Sequence, residues 1–376
     1  MNGFQPPAYP YERLSPLRAA AAALAGGLVD LSVGTPCDPP SPAVLAALAA
    51  GDSDHAVRAY PPSAGSPDAR QAVARWMSLR LGVDVPIDAI GLCIGTKELV
   101  AGLPAWLRLR QPSRDTVLYP ALAYPTYEMG ALLAGLRAVP VPVDQDFRLR
   151  LEGISDHDAE RALILWANSP GNPAGQLEDL ARAAAWGRER GTLVVSDECY
   201  AELTWNGPPR SILSRGTGSN LSGVLAVHSL SKRSNLAGLR FGWYAGDPDV
   251  VAYLRGVRQH AGFMVPGIVQ RAGIAALADQ RHADAQRETY RARLVRLRLL
   301  LASVGVDAPF PEGGIYLWAR APGSDAWALA SELAERGGLV VSPGEFYGEA
   351  GRAHVRVAAV APTERIELVA SRLRGG

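Results

Sequence analysis

The sequence predicts an α/β protein with a larger domain built on a mostly parallel sheet and a smaller α+β domain at the C-terminal end. Three observations predict it. Short β-rich runs alternate with helix-period segments from about residue 89 to 247, the pattern of strands joined by helical crossovers. Past Pro266 the pattern changes to long helical periods with a few short strands. The 376 residues, 48% of them hydrophobic, suffice for about two domains with sizeable cores.

The elements follow in order. Residues 19–29 come after Arg13 and Arg18, but they are mostly Ala and Gly and too weakly apolar for a signal-peptide core. They read as a short helix leading into a strand at 29–33. Strands are expected at 90–94, 116–119, 138–143, 162–167, 192–196, 224–227 and 239–245, with helices at 97–109, 124–134 and 177–190 between them. Long helices are expected at 268–278 and 283–304, then strands at 316–320, 339–341 and 354–358 around a helix at 326–336, and a last helix from 363. The Ala-rich stretches fit helix propensity. The expected division is an N-terminal arm, 1–44, joining a small domain at 266–376, with a large domain at 45–265.

Composition narrows the function. A net charge of +1 with interspersed signs gives no basic face for nucleic acid or an anionic membrane. No run reaches the roughly 18 apolar residues of a bilayer span. Cys37, Cys93 and Cys199 are odd in number and widely spaced, with no CxxC and no metal-like cluster with the six histidines. The expectation is a cytoplasmic enzyme in a reducing compartment with no metal.

Only two of the 38 basic residues are lysines, Lys97 and Lys232. Arginine carries surface charge as well as lysine does, but only lysine offers a primary amine that loses its proton near neutrality and condenses with an aldehyde. Lys232 lies in Ser229-Leu-Ser231-Lys232-Arg-Ser-Asn-Leu-Ala-Gly-Leu-Arg240. In open α/β sheets ligands gather beyond the carboxyl ends of the strands, and three runs end there in polar residues: Asn168 to Asn172, Asp197 to Tyr200, and His228 to Lys232. Upstream, Gly91-Leu-Cys-Ile-Gly95-Thr96-Lys97-Glu98 is a strand turning through Gly into a helix, so first-turn amides and the positive dipole end face outward. It suits a phosphate, although it lacks the Walker spacing. Ser229, Ser231 and a two-pronged Arg240 complete such a cradle. A phosphate beside a reactive lysine implies pyridoxal 5'-phosphate.

These residues resemble the class I aminotransferases, the aspartate aminotransferase fold (fold type I) of pyridoxal-phosphate transferases, over nearly the whole chain. Ser-x-Ser-Lys232 with Arg240 eight residues on is the most specific string. Gly34, Tyr60-Pro-Pro, Gly95-Thr96, Ala123-Tyr124-Pro-Thr-Tyr, Asn172-Pro, Asp197-x-x-Tyr200 and His-Val-Arg356-Val follow in the same order. The longer strings, among them Ile94-Gly-Thr-Lys-Glu and His260-Ala-Gly-Phe-Met-Val-Pro, are similar to N-succinyldiaminopimelate aminotransferases of lysine biosynthesis. The family's Asn-Pro-Thr-Gly stands here as Asn172-Pro-Ala-Gly175.

The resemblance implies roles. Lys232 holds the cofactor and later moves a proton at the substrate α-carbon; it must be neutral to do so, a state that nearby positive charge favours. Asp197 keeps the pyridine nitrogen protonated, Tyr200 and Asn172 bond the phenolic oxygen, and Tyr124 stacks on the ring. Gly95, Thr96, Ser229, Ser231 and Arg240 bind the phosphate, joined by Tyr60 from a neighbouring subunit, which implies a homodimer with shared sites. Arg356 pairs with the substrate α-carboxylate and Gly34 lets backbone approach it. Lys97, Arg13 and Arg18 are candidates for a distal carboxylate. The substrates implied are amino and keto acids: glutamate with N-succinyl-2-amino-6-oxopimelate, or alternatively aspartate, aromatic or branched acids, or a carbon–sulfur lyase substrate. A transcriptional regulator on this fold is a further alternative; it carries a basic winged-helix segment, and only about thirty residues precede the first expected strand here.

Overall fold

A computed structural model describes residues 4–50, 54–214 and 220–375. The chain divides into two compact units, Asp38–Thr289 with Glu312–Gly314, and Met1–Cys37 with Tyr290–Pro311 and Ile315–Gly376. The strands in chain order are β1 (Val29–Asp30), β2 (Ile90–Ile94), β3 (Thr116–Pro120), β4 (Arg137–Val141), β5 (Ala162–Asn168) and β6 (Leu193–Asp197). They continue with β7 (Val224–Ser229), β8 (Phe241–Gly246), β9 (Tyr316–Arg320), β10 (Leu339–Val340), β11 (Ser342–Pro343) and β12 (His354–Ala358).

The first unit holds a seven-stranded sheet in the order β2-β8-β7-β6-β5-β3-β4. The pairs from β7 through β4 are parallel, and β8 runs antiparallel to both its neighbours. Strands β5, β7 and β8 are buried along their whole length, because a sheet covered on both faces demands apolar side chains pointing both ways. Alternation sorts them into two cores. Leu165, Val194, Ala226 and Trp243 pack on one face, and Ile164, Val195, Leu225 and Tyr244 on the other.

The helices Thr96–Arg110, Thr126–Leu133 and Leu180–Arg190 fall between strands. Edges differ from expectation where a side chain or a torsion decides them. The third helix begins at Leu180, not 177, because the Asp179 side chain accepts from Arg182 N. Strand β8 begins at Phe241 because Arg240 sits at φ +56°, outside extended backbone. The expected 326–336 helix is α-helical over Ala326–Glu332 and closes in a π turn, Leu333–Gly337.

The unit boundaries also differ from 44/45 and 265/266. The Pro42–Ala49 helix goes with the sheet, since Val44 enters its core and Ser41 Oγ donates to Asp279 Oδ2 at 2.5 Å. The Gly267–Ala278 helix goes with it too: Ala272, Ala276 and Leu277 join the same core, and Gln270 accepts from Ser66 N while donating to Val265 O. In the second unit β1 pairs parallel with β10, and β11, β12 and β9 form an antiparallel sheet. Among the described residues no helix is long and apolar enough to cross a membrane, and no group of three or more His, Cys, Asp or Glu is placed to hold a metal ion.

Candidate active site

The carboxyl ends of β5, β6 and β7 lie side by side in the larger unit. Asn168 is the register partner of Asp197, and Asp197 of Val227. Asp197 is buried, and Tyr127 Oη donates to its Oδ2 at 2.9 Å while Cys199 N donates to its Oδ1 at 3.2 Å. Burial raises its pKa above the ordinary carboxylate value, against the pull of those two donors. Asn168 fixes the floor: its Nδ2 donates to Asp197 O at 2.8 Å and its Oδ1 accepts from Asn172 N at 2.8 Å. Asn172 and Tyr200 are both buried at this edge.

Strand β7 runs on into the four-residue helix Leu230–Arg233, which carries Lys232, half-buried. Ser229 caps it, accepting from Ser231 N at 3.0 Å, and its hydroxyl lies 2.7 Å from Ser231 Oγ. Across β8, Gly242 is the register partner of both Ser229 and Cys93. A Cβ on Gly242 would sit 3.2 Å from Thr96 N, so the Ser229 strand end and the Thr96 helix start share one corner.

At that corner Gly95 caps the Thr96–Arg110 helix at φ +71°, a conformation L side chains rarely adopt. A Cβ there would stand 2.1 Å from Arg240 Nη2, so the guanidinium lies against the bare glycine. Arg240 is itself held by a 2.8 Å bond from Nη1 to Ala237 O. Cys199 Sγ reaches Thr96 Oγ1 at 3.4 Å, linking the β6 end to this turn. The predicted residues Gly95, Thr96, Ser229, Ser231 and Arg240 thus gather at one end of the β2-β8-β7 strands.

Tyr124 is half-buried, meets Tyr127 edge to face at 6.0 Å, and has the exposed Lys97 ammonium 6.0 Å from its ring centroid. Tyr60 is 94% exposed. Arg356 and Gly34 belong to the smaller unit. There the Arg356 guanidinium lies between Tyr316 and Tyr347, 4.2 Å and 4.7 Å from their centroids, and donates to Ser32 O at 2.5 Å. Gly34 is buried against Tyr316, whose hydroxyl a Cβ would meet at 2.1 Å. Of the candidates for a distal carboxylate, Arg13 is paired with Glu345 at 2.6 Å and stacked on Trp327, and Arg18 is tied to Asp30, Tyr11 O and Ser32 Oγ.

Sequence reasoning does not find Tyr127. It stands three residues after Tyr124 in the same string, and only the stacking of its ring on Trp166, at 5.0 Å, shows why its hydroxyl is aimed at Asp197. Asn168 reads in the sequence only as a strand end, with no signal for its two-way bonding.

The chain matches the family described as aminotransferase class I and II over residues 27–373. It is 43% identical over 371 residues to the 4-dedimethylamino-4-oxo-anhydrotetracycline transaminase OxyQ of Streptomyces rimosus, covering 98% of this chain and 99% of that one. It is 34% identical to the LL-diaminopimelate aminotransferase of Desulforudis audaxviator, over 98% of this chain and 95% of the relative. Among solved structures it is similar to a probable N-succinyldiaminopimelate aminotransferase from Thermus thermophilus, with a TM-score of 0.87, 30% identity and coverage of 97% and 99%. Members of the family use pyridoxal 5'-phosphate, and the donor set fits it: an anion turn with no room for a Cβ, a buried carboxylate suited to a protonated ring nitrogen, and a primary amine. With its fold of a large mixed sheet and flanking helices, the chain belongs to the class I and II aminotransferases.

Proposed function

We propose that this aminotransferase moves an amino group from glutamate to N-succinyl-2-amino-6-oxopimelate, forming N-succinyl-diaminopimelate in lysine biosynthesis, by a ping-pong cycle in the cytoplasm. The observation that carries the substrate is the likeness, over nearly the whole chain, to two proteins named for diaminopimelate. When bound, pyridoxal 5'-phosphate supplies an electron sink for charge developing at the substrate α-carbon.

The chain's residues do the rest. Lys232, on a capped turn at the strand edge, holds the cofactor by its amine and moves the proton at the α-carbon. Asp197 keeps the ring nitrogen's proton, and its raised pKa suits it to that role, since burial disfavours a lone carboxylate and makes a cationic partner stabilising there. Tyr127 orients Asp197. Tyr200 and Asn172 bond the phenolic oxygen, and Tyr124 covers the ring. Gly95, Thr96, Ser229, Ser231 and Arg240 take the phosphate through first-turn amides, hydroxyls and a guanidinium. Tyr60, bare in the single chain, reaches the phosphate of a second copy in a homodimer with shared sites. Arg356, fixed between two rings, pairs with the α-carboxylate, and Gly34 keeps the backbone there free of a side chain.

A second reading rests on the 43% identity to a transaminase named for a tetracycline ketone: the acceptor is then a larger ring ketone. The visible spectrum decides. A band that bleaches with glutamate and returns with the succinylated keto acid, in preference to oxaloacetate, supports the first reading. Return only with oxaloacetate or a ring ketone defeats it, and pyruvate release from a thioether substrate would make the protein a carbon–sulfur lyase.

A further inference from the structure

The turn at Gly95 is braced from its inner side by a pair of charges that no part of the reading above uses. Glu98 stands in the first turn of the Thr96–Arg110 helix, and its Oε2 reaches back past the N-cap Gly95 to accept Ile94 N at 3.0 Å. The same carboxylate takes two bonds from Arg258, at 2.5 Å to Oε1 and 3.0 Å to Oε2. The Arg258 side chain is fully buried, its guanidinium 5.2 Å from the Trp106 centroid, 5.3 Å from Phe263 and 6.0 Å from Tyr244. The guanidinium that lies where a Gly95 Cβ would stand is that of Arg240, not of Arg258.

A carboxylate so close to an anion site is an electrostatic contradiction. Glu98 is needed for geometry, since it fixes the peptide that enters the turn, yet its charge opposes a phosphate. We infer that Arg258 is a positioning residue for the cofactor phosphate: it holds Glu98 against Ile94 N and cancels the charge that Glu98 would otherwise set against the bound anion. The two-pronged geometry and the aromatic cage keep that cation fixed and dry, where its field is strongest. The inference rests on the cofactor reading of the Gly95 turn.

The test is the binding of inorganic phosphate, pyridoxal phosphate and unphosphorylated pyridoxal to cofactor-stripped protein, followed by tryptophan fluorescence, in wild type, Arg258→Met, Glu98→Gln and the double variant. Arg258→Met should weaken both phosphate-bearing ligands about tenfold, an effect of one uncompensated charge, with little change for pyridoxal. Glu98→Gln, which still accepts from Ile94 N, should bind them at least as well as wild type, and the double variant should recover to near wild type. Equal losses for pyridoxal and pyridoxal phosphate, or a double variant as weak as Arg258→Met, would overturn the inference. If Arg258→Met does not fold, the double variant decides alone: wild-type phosphate binding supports the inference, and its loss defeats it. Wild type that binds phosphate at this turn but forms no visible band with pyridoxal phosphate would defeat the transaminase reading and leave the inference standing; wild type that binds neither defeats both.

Discussion

At the residue scale the chemistry turns on a few side chains whose neighbours set their protonation. Replacing Lys232 with Ala removes the amine proposed to move the proton, so turnover should fall by about 10³-fold or more while pyridoxal phosphate should still bind the proposed turn; an unchanged glutamate half-reaction in stopped flow would remove Lys232 from that role. Glu198 carries a pH signature of its own. Buried beside His228, with Oε2 3.3 Å from Nε2, it is pushed by burial from its ordinary 4.5 up to about 7, while burial pushes His228 from 6.5 down to about 3. Below pH 4.5 Glu198 is neutral in folded and unfolded chains and costs nothing. Between 4.5 and 7 the unfolded chain gives up the Glu198 proton that the native state keeps, so the Glu198 contribution to stability falls as pH rises and above 7 its whole cost is present, while the depressed pKa of His228 acts in the opposite sense between about 3 and 6.5. Glu198→Gln should therefore be more stable than wild type at pH 8, by on the order of 3 kcal/mol, with the gain vanishing below about pH 4.5. Melting temperatures across that range measure it, and a less stable Gln variant at pH 8 would contradict it.

At the element scale, strand ends and helix starts do the positioning. Gly95 is a backbone requirement twice over, by its φ of +71° and by the Arg240 guanidinium where a Cβ would go. Gly95→Ala should cost about 1–3 kcal/mol of stability and weaken pyridoxal phosphate by displacing Arg240; calorimetric titration that finds wild-type affinity would show that Arg240 is not a phosphate ligand. The elements are legible in the sequence because periodicity and turn residues are local signals. Strands 90–94, 316–320 and 354–358 match their expected spans residue for residue. Some element ends are not legible, because a capping bond such as Asp179 to Arg182 N or a torsion such as that of Arg240 is invisible to periodicity. The proposed cofactor edge is readable from Asp197, Ser229 and Lys232, each at or just past the end of an apolar run. Its supports are not: Tyr127 meets Asp197 across 70 residues, and Arg258 meets Glu98 across 160.

At the scale of the whole molecule, Tyr60 offers the clearest test of shared sites. A hybrid of a Lys232→Ala chain and a Tyr60→Phe chain has one site with Lys232 and a partner's Tyr60 both intact. If Tyr60 serves the neighbouring subunit, an equal mixture of the two weakened variants, once subunits exchange, should recover activity toward about a quarter of wild type, since half the dimers are hybrids with one intact site each; no recovery, with dimers present by sedimentation, would confine Tyr60 to its own chain. The α/β class, the run of strands and the chemistry-bearing residues are all written in the order of amino acids, because each shows as a local period, a local turn chemistry or a residue type that few reactions require. Three things needed the folded molecule: which unit the Pro42–Ala49 and Gly267–Ala278 helices join, which donors hold Asp197, and which charge answers Glu98. Those are pairings between distant parts of the chain, and burial, not nearness along the chain, sets their energy.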